Sequence, residues 1–131
     1  MITLDTHIII WNAIKPEHLS KKAKNAITTA NKTDGIIISD ISFWEIAMLI
    51  NKKRLEIEIP YLEFIGLIRA SNNFQIKEIT PEIAELSTKF PAEINLDPAD
   101  RIICATSILS NAPLVTADSN LRKSKLVKTI W

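Results

Sequence analysis

Asp5, Glu45, Asp100 and Asp118 are the residues of this chain whose type and setting could do chemistry. Each is an isolated carboxylate bordering an apolar run. Asp5 ends Met1-Ile2-Thr3-Leu4, Glu45 interrupts Phe43 to Ile50, Asp100 leads into Ile102-Ile103-Cys104-Ala105, and Asp118 follows Leu114-Val115-Thr116-Ala117. An ionised carboxylate in apolar surroundings needs a cation, hydrogen-bond donors or a proton. Such a group caps a helix, pairs with a base or ligates a metal. For Asp5 the cap and the ligand stand level, and Asp118 before Ser119 to Leu121 reads first as a turn or cap. Glu45 is the sharpest of the four, one turn into an apolar helix, where its alternative is a salt bridge to an internal lysine. Asp97 and Asp100 have the spacing of an N-cap and an N3 acid, both favoured at a helix start by the macrodipole.

Other catalytic apparatus is lacking. His7, His18 and Cys104 are the only histidines and cysteine, too few and too scattered for a structural zinc site. Cys104, within an apolar helix, reads as a small buried thiol rather than a nucleophile. His7 lies near Asp5, within reach of a substrate, though helix packing is its plainer role. Glycine occurs only at Gly35 and Gly66, which removes the phosphate-binding loop and the Gly-x-Ser-x-Gly elbow.

The elements that must position these groups follow from the pattern. A chain of 131 residues suits one domain over residues 1–131, and 47% hydrophobic with 24% charged residues excludes a disordered chain. A net charge of +1 gives no global basic field, which counts against a passive nucleic-acid coat and leaves any polyanion to local patches. The lone cysteine and the lack of a signal-peptide pattern make the cytoplasm the expected compartment. No apolar run approaches the roughly 18 residues of a membrane span.

Met1 to Leu4 reads as a strand, Asp5-Thr6 interrupts it, and the mixed apolar segment that follows through Ile14 reads as a short helix. After Lys15-Pro16 breaks it, Ser20 caps an exposed amphipathic helix over Lys21 to Asn31, with Ala23, Ala26, Ile27 and Ala30 on one face. Asp34-Gly35 turns into the strand Ile36-Ile37-Ile38, apolar on both faces. Phe43 to Ile50 then forms a helix that must be mostly buried. A Pro60-led helix runs to Ser71, a strand of alternating character covers Phe74 to Ile79, and Thr80-Pro81 starts a short helix to Phe90. Asp97 opens a helix whose Ile102, Ile103, Cys104, Ala105, Ile108 and Leu109 make it interior too. Pro113-Leu114-Val115-Thr116 forms a strand ending at Asp118, and Val127 to Trp131 an edge strand.

Alternating strands and helices predict an α/β fold with a mostly parallel sheet, right-handed crossovers and both faces covered. Ligands of such sheets bind beyond the carboxyl ends of the strands. Asp5 and Asp118 each follow a strand and should project from that rim, where helix starts also gather.

Four segments in order make the chain resemble the PIN-domain ribonucleases, above all the VapC-like toxins of type II toxin–antitoxin pairs. They are Leu4-Asp5-Thr6-His7 with Trp11 downstream, Ser42-Phe43-Trp44-Glu45-Ile46-Ala47 followed by Lys52-Lys53-Arg54-Leu55, Asp97-Pro98-Ala99-Asp100-Arg101-Ile102-Ile103-Cys104-Ala105-Thr106, and Leu114-Val115-Thr116-Ala117-Asp118. The resemblance covers essentially the whole chain. It implies a three-layer fold with a central, mostly parallel sheet of four to five strands between helices, and a metal-dependent endoribonuclease acting as a toxin. It further implies that Asp5, Glu45, Asp100 and Asp118 hold Mg²⁺ or Mn²⁺, with Thr6 and Thr116 supporting them; Asp97 is assigned to the helix cap, with a supporting place just outside the ligands as its further role. A hard divalent cation takes oxygen ligands and keeps room for water and a substrate phosphate. RNA as substrate, an antitoxin that occludes the pocket with a basic side chain, and a homodimer are implied in the same way. Lys53 stands where a glycine often follows the Glu45 helix, and Asn95 where a histidine often precedes Asp97; both touch loop shape and substrate contacts rather than the four acids.

Lys52, Lys53 and Arg54, and the tail cluster Arg122, Lys123, Lys125 and Lys128, would steer RNA phosphates toward the acids or, as readily, form a solvated face. Arg101 is expected to pair with a neighbouring carboxylate, with a phosphate contact as the alternative. Trp11, Trp44, Phe43 and Trp131 are expected as core or interface anchors rather than stacking platforms. Two other classes fit less well. Phosphoacceptor and phosphatase domains use adjacent acids or an Asp-x-Asp pair, which Leu4-Asp5-Thr6-His7 lacks; a non-catalytic RNA-binding or protein-interaction module of the same fold would have no need of four intact acids.

Overall fold

Short β-branched runs and capped helix starts set the course of the chain. In the computed structural model, which describes Met1–Trp131, the strands are β1 (Ile2–Leu4), β2 (Ile36–Ser39), β3 (Phe74–Lys77), β4 (Leu114–Val115) and β5 (Thr129–Ile130). The helices are α1 (Thr6–Ile14), α2 (Lys21–Lys32), α3 (Ile41–Asn51), α4 (Tyr61–Ser71), α5 (Pro81–Ser87), α6 (Pro98–Leu109) and α7 (Ser119–Ser124), with a 3-10 turn at Pro16–His18. Side-chain oxygens of Asp5, Ser20, Thr80, Asp97 and Asp118 accept the first free N–H groups of α1, α2, α5, α6 and α7.

All strands are parallel, in the order β3-β2-β1-β4-β5. From central β1 the chain steps outward to β2 and β3, then returns to the opposite side for β4 and β5. The reversal between β1 and β4 opens a crevice beyond their carboxyl ends, the place where open parallel sheets form binding sites. Register sets its walls: Leu4 pairs with Val115, and the Asp5 N–H donates to the Val115 carbonyl at 3.1 Å. Asp5 and Thr116 therefore leave the sheet side by side.

Alternate strand residues feed two cores. Leu4, Ile36, Ile38 and Val115 join a cluster with Ile8 and Ile9 of α1, Ile27 of α2, Ile46 of α3 and Phe64 of α4. Leu114 joins Ile103, Cys104 and Ala105 of α6, with Ile83 and Leu121. Helices on both faces of a five-strand sheet give the three-layer α/β fold expected.

Element ends shift by one to three residues from the sequence reading: β3 stops at Lys77 and α5 at Ser87, while Phe90 is buried in the loop that follows. Two burial expectations fail. On α3 only Ser42, Glu45 and Ile46 are buried and Trp44 is 59% exposed, because neighbouring elements cover a single stripe of the helix. The last turn of α6 likewise leaves Ile108 and Leu109 open, Leu109 to 52%. Ile103→Ala, at a site 1% exposed, is expected to cost about 2–5 kcal/mol. Leu109→Ala should cost less than about 1 kcal/mol. Urea unfolding measures both, and equal losses would return the end of α6 to a covered environment.

Candidate active site

The end of β1 delivers Asp5, almost wholly buried, into the β1/β4 crevice. Its Oδ1 accepts the Thr6 N–H at 2.8 Å, and its Oδ2 accepts the Thr116 hydroxyl at 2.8 Å. Thr116 Oγ1 in turn accepts the Asp118 N–H at 3.1 Å. The two strands are thus tied through side chains just beyond their last ladder bonds. Burial pushes the Asp5 carboxyl up; the Thr116 hydrogen bond, the His7 charge and the Thr6 N–H oppose it, and Asp118 adds repulsion. Cap and pocket member are compatible roles, since one oxygen serves each.

Glu45, in the second turn of α3, accepts the Thr6 hydroxyl on Oε1. Thr6 Oγ1 also lies 2.9 Å from Ser42 Oγ. A hydroxyl carries one proton, so with that of Thr6 committed to the carboxylate, Ser42 is the donor to Thr6. The sequence reading passes over Ser42; its three-residue spacing from Glu45 on one helix face is the signal that could find it. Burial raises the Glu45 pKa, the Thr6 hydrogen bond opposes, and the charges of Asp5 and Asp97 raise it further. No lysine reaches Glu45: the ion pairs of the chain are Met1 with Asp34 and Lys89 with Glu85.

Asp100 lies in the first turn of α6, where its N–H donates to Asp97 Oδ1 at 2.8 Å. Carboxylate oxygens of Glu45, Asp97 and Asp100 lie within 4.8 Å of one another. Asp97 therefore caps the helix, as expected, and also stands within this group of acids, closer in than the outer position expected for it. The Asp100 carboxyl is pushed up to about 8, first by burial and then by Asp5, Asp97, Glu45 and Asp118. Half-buried Asp118 caps α7 through the Leu121 N–H at 3.0 Å. Cys104, one turn past Asp100, is buried, and burial with the charges of Asp5, Asp100 and Asp118 pushes its thiol up to about 12. A neutral thiol is no nucleophile, as expected.

Five carboxylates share this rim, and no lysine or arginine pairs with any of them. Raised pKa values in three of them follow from burying anionic oxygens without a compensating cation. Such a set of hard donors suits a divalent cation, and Glu45, Asp97 and Asp100 are spaced to hold one together.

Several other expectations are redirected. Arg101 makes no ion pair; its Nε donates to the Leu96 carbonyl at 3.2 Å and so braces the loop before α6. His7 does not pack into the core: it is exposed in the first turn of α1, its ring edge-on to Trp11 at 6.1 Å. Lys52, Lys53 and Arg54 close the carboxyl end of α3, two turns past Glu45 and so roughly 10 Å farther along the axis. There Lys53 adopts a left-handed φ of 57°, the conformation that makes glycine the usual choice. Arg122 is exposed on α7. Trp11 and Trp131 pack on the core as anchors, while Trp44 faces out.

Comparisons with known proteins bear on the family and the fold. A PIN-domain family model matches residues 2–125. Ribonuclease VapC22 of Mycobacterium tuberculosis is 33% identical over 99% of this chain and 98% of its own length. Among solved structures, VapBC2 from Rickettsia felis, bound to a DNA fragment from its promoter, superposes with a TM-score of 0.73 at 17% identity, covering 98% of this chain and 97% of that one. A toxin–antitoxin complex from Klebsiella pneumoniae reaches a TM-score of 0.61 at 26% identity, covering 91% and 88%. Aligned along nearly its whole length with both the family model and a named relative, the chain belongs to the PIN-domain family.

Proposed function

We propose that this protein is a metal-dependent endoribonuclease, the toxin of a toxin–antitoxin pair, working as one catalytic unit over residues 1–131. The observation that carries the reading is the crowd of acids in the β1/β4 crevice with no base of the chain to neutralise them. Asp5, Glu45, Asp100 and Asp118 hold Mg²⁺ or Mn²⁺, with Asp97 as a further oxygen donor. The bound ion would neutralise phosphate charge and acidify and orient a water for in-line attack on an RNA phosphodiester. The chain's own part is placement: Thr116 and the Thr6 N–H fix Asp5, while Thr6, held by Ser42, fixes Glu45.

The relative named above as a ribonuclease supports RNA as substrate. An antitoxin partner is supported by the toxin–antitoxin complex at 26% identity. A basic side chain from such a partner would meet acids left without a counter-charge. Exposed Trp44 on α3 and Leu62, 80% exposed, on α4 support a further cover, in our reading a second copy of the chain. No helix is long and apolar enough to cross a membrane, and we assign the action to the cytoplasm.

Purified protein should cleave RNA with Mg²⁺ or Mn²⁺ and stop on chelation. Asp5→Asn and Asp100→Asn should each lose more than about 100-fold in rate while keeping wild-type circular dichroism. Persistent cleavage by both well-folded variants would falsify the mechanism. Thr116→Val, which removes the donor to Asp5 Oδ2, should lower activity and Mn²⁺ affinity by about 10–100-fold. Wild-type values in both measurements would deny Thr116 its positioning role.

The raised carboxyls also set a pH dependence. From the ordinary carboxylate range of about 4 up to about 8 for Asp100, the native state holds more protons than the unfolded chain. Stability without metal therefore falls as pH rises through that window. Binding a cation displaces the same protons, so Mn²⁺ affinity should climb by about tenfold per pH unit for each proton displaced, levelling near pH 8. Thermal melts with chelator and with Mn²⁺ should draw apart between about pH 5 and about pH 8; a gap independent of pH would contradict this account.

A further inference from the structure

A second cleft, of about 480 Å³, opens beside the acidic crevice. Its walls come from three separated parts of the chain: Lys22 of α2, Ser119, Arg122 and Lys123 of α7, and Trp131 after β5. Ser119 directly follows Asp118, so the cleft begins where the acidic rim ends. Three cations and no aspartate or glutamate line it, and none of the three makes an ion pair. Lys22, Arg122 and Lys123 are exposed, so gathering them is a local concentration of positive charge in a protein of net charge +1. Lys125 and Lys128 of the same tail cluster do not line the cleft, whereas Lys22, distant in sequence, does.

An aromatic row connects the two sites. His7 follows Thr6 at the acidic rim and meets Trp11 at 6.1 Å; Trp11 meets Trp131, half-buried in the cleft wall, at 6.1 Å. Cations that take phosphates beside an aromatic ring that takes a base are the elements of a site for unpaired nucleic acid. An acidic peptide would satisfy the cations and leave the indole unused. A duplex would keep its base faces stacked away from the ring.

We propose that this cleft binds single-stranded RNA flanking the cut, Lys22, Arg122 and Lys123 holding phosphates next to the scissile one while Trp131 stacks on a base. The inference rests on the ribonuclease reading for its direction, since the track ends at the acids. RNA binding without metal tests it separately from catalysis.

The experiment follows a short fluorescein-labelled single-stranded RNA by anisotropy, with the full chain in chelator over a range of KCl. Lys22→Gln with Arg122→Gln should weaken binding about tenfold and lower the slope of log affinity against log salt by about 1.4, that is, about 0.7 for each lost contact to a single strand. Trp131→Leu should weaken binding by about 5- to 150-fold at an unchanged slope. Since Trp131 also packs on Trp11, the exposed-cation variant decides the matter if Trp131→Leu fails to fold. Mn²⁺ affinity equal to wild type shows that the cation variant keeps its acidic pocket.

Unchanged RNA affinity and slope in the cation variant overturn the proposal, even if the wild type cleaves RNA with Mn²⁺. Lost binding in that variant upholds the cleft even if the wild type never cleaves, in which case the catalytic reading alone falls. Retained RNA affinity with lost binding of polyglutamate would assign the cleft to an acidic peptide and overturn the proposal. Tighter wild-type binding of duplex than of single strand would overturn it as well.

Discussion

Carboxylates that repel one another are held together here by neutral donors, and the rest of the structure is arranged around that constraint. Asp5 is fixed by a backbone N–H and the Thr116 hydroxyl, and Glu45 by the Thr6 hydroxyl with Ser42 behind it. A lysine in either place would relieve the repulsion and fill the crevice. Hydroxyls and amides orient the oxygens of Asp5 and Glu45 and offset only part of the effect of burial, which, joined by the neighbouring carboxylates, raises Asp5, Glu45 and Asp100 above the ordinary range. The cost must be met by apolar burial elsewhere. Two cores sandwiching the sheet supply it, and both reach the site: Leu4 and Val115 lie on one side just before Asp5 and Thr116, and Cys104 on the other just past Asp100.

A parallel sheet is suited to this arrangement for an electrostatic reason. Every strand runs the same way, so the helices that follow β1, β2 and β4 begin at one rim and point the positive ends of their dipoles there. Asp5, Asp97 and Asp118 cap α1, α6 and α7, each using one carboxylate oxygen on the helix. The helix starts therefore do part of what a base would do, without occupying the space a base would need. This also dissolves the choice between cap and pocket member at Asp5 and Asp118: for an aspartate at such a rim the cap fixes the side chain that faces the crevice.

Features decided within a few residues were legible in the sequence. Ser20, Thr80 and Asp97 announce their helices because an N-cap needs only its own next turn, and Ile36 to Ile38 announces a strand covered on both faces. Asp5, Glu45 and Asp100 were legible as acids out of place in apolar runs. What escaped depends on distant packing. Arg101 bonds to Leu96 rather than to an acid because the loop before α6 brings a free carbonyl to it. Ser42 acquires a role only when α1 places Thr6 against it. The apolar character of α3 could not reveal that one stripe alone would be covered, since the same composition serves a core and an interface. Asp97 joins the acids because α3 brings Glu45 to the start of α6, a meeting of segments about fifty residues apart that no spacing rule foretells.

A net charge of +1 leaves any polyanion to local patches, and the way charge is segregated bears on how an acidic site can face one. A total of +1 averages over an acidic crevice and an adjoining basic cleft that are segregated on the surface. Asp118 starts α7, and Arg122 lies four residues on, roughly 6 Å along the helix axis. That is within the screening length of about 8 Å at physiological ionic strength. Over such a distance the two fields are felt separately but not independently. Without a bound cation the acids would repel a phosphate while the cleft would attract one, and the more flexible the strand, the more easily both demands would be met. A stiff duplex would carry phosphates to the acidic rim whether or not the cations were engaged. On the RNA reading proposed above, charge segregation on the scale of one helix turn would favour a flexible, unpaired substrate before any base is read.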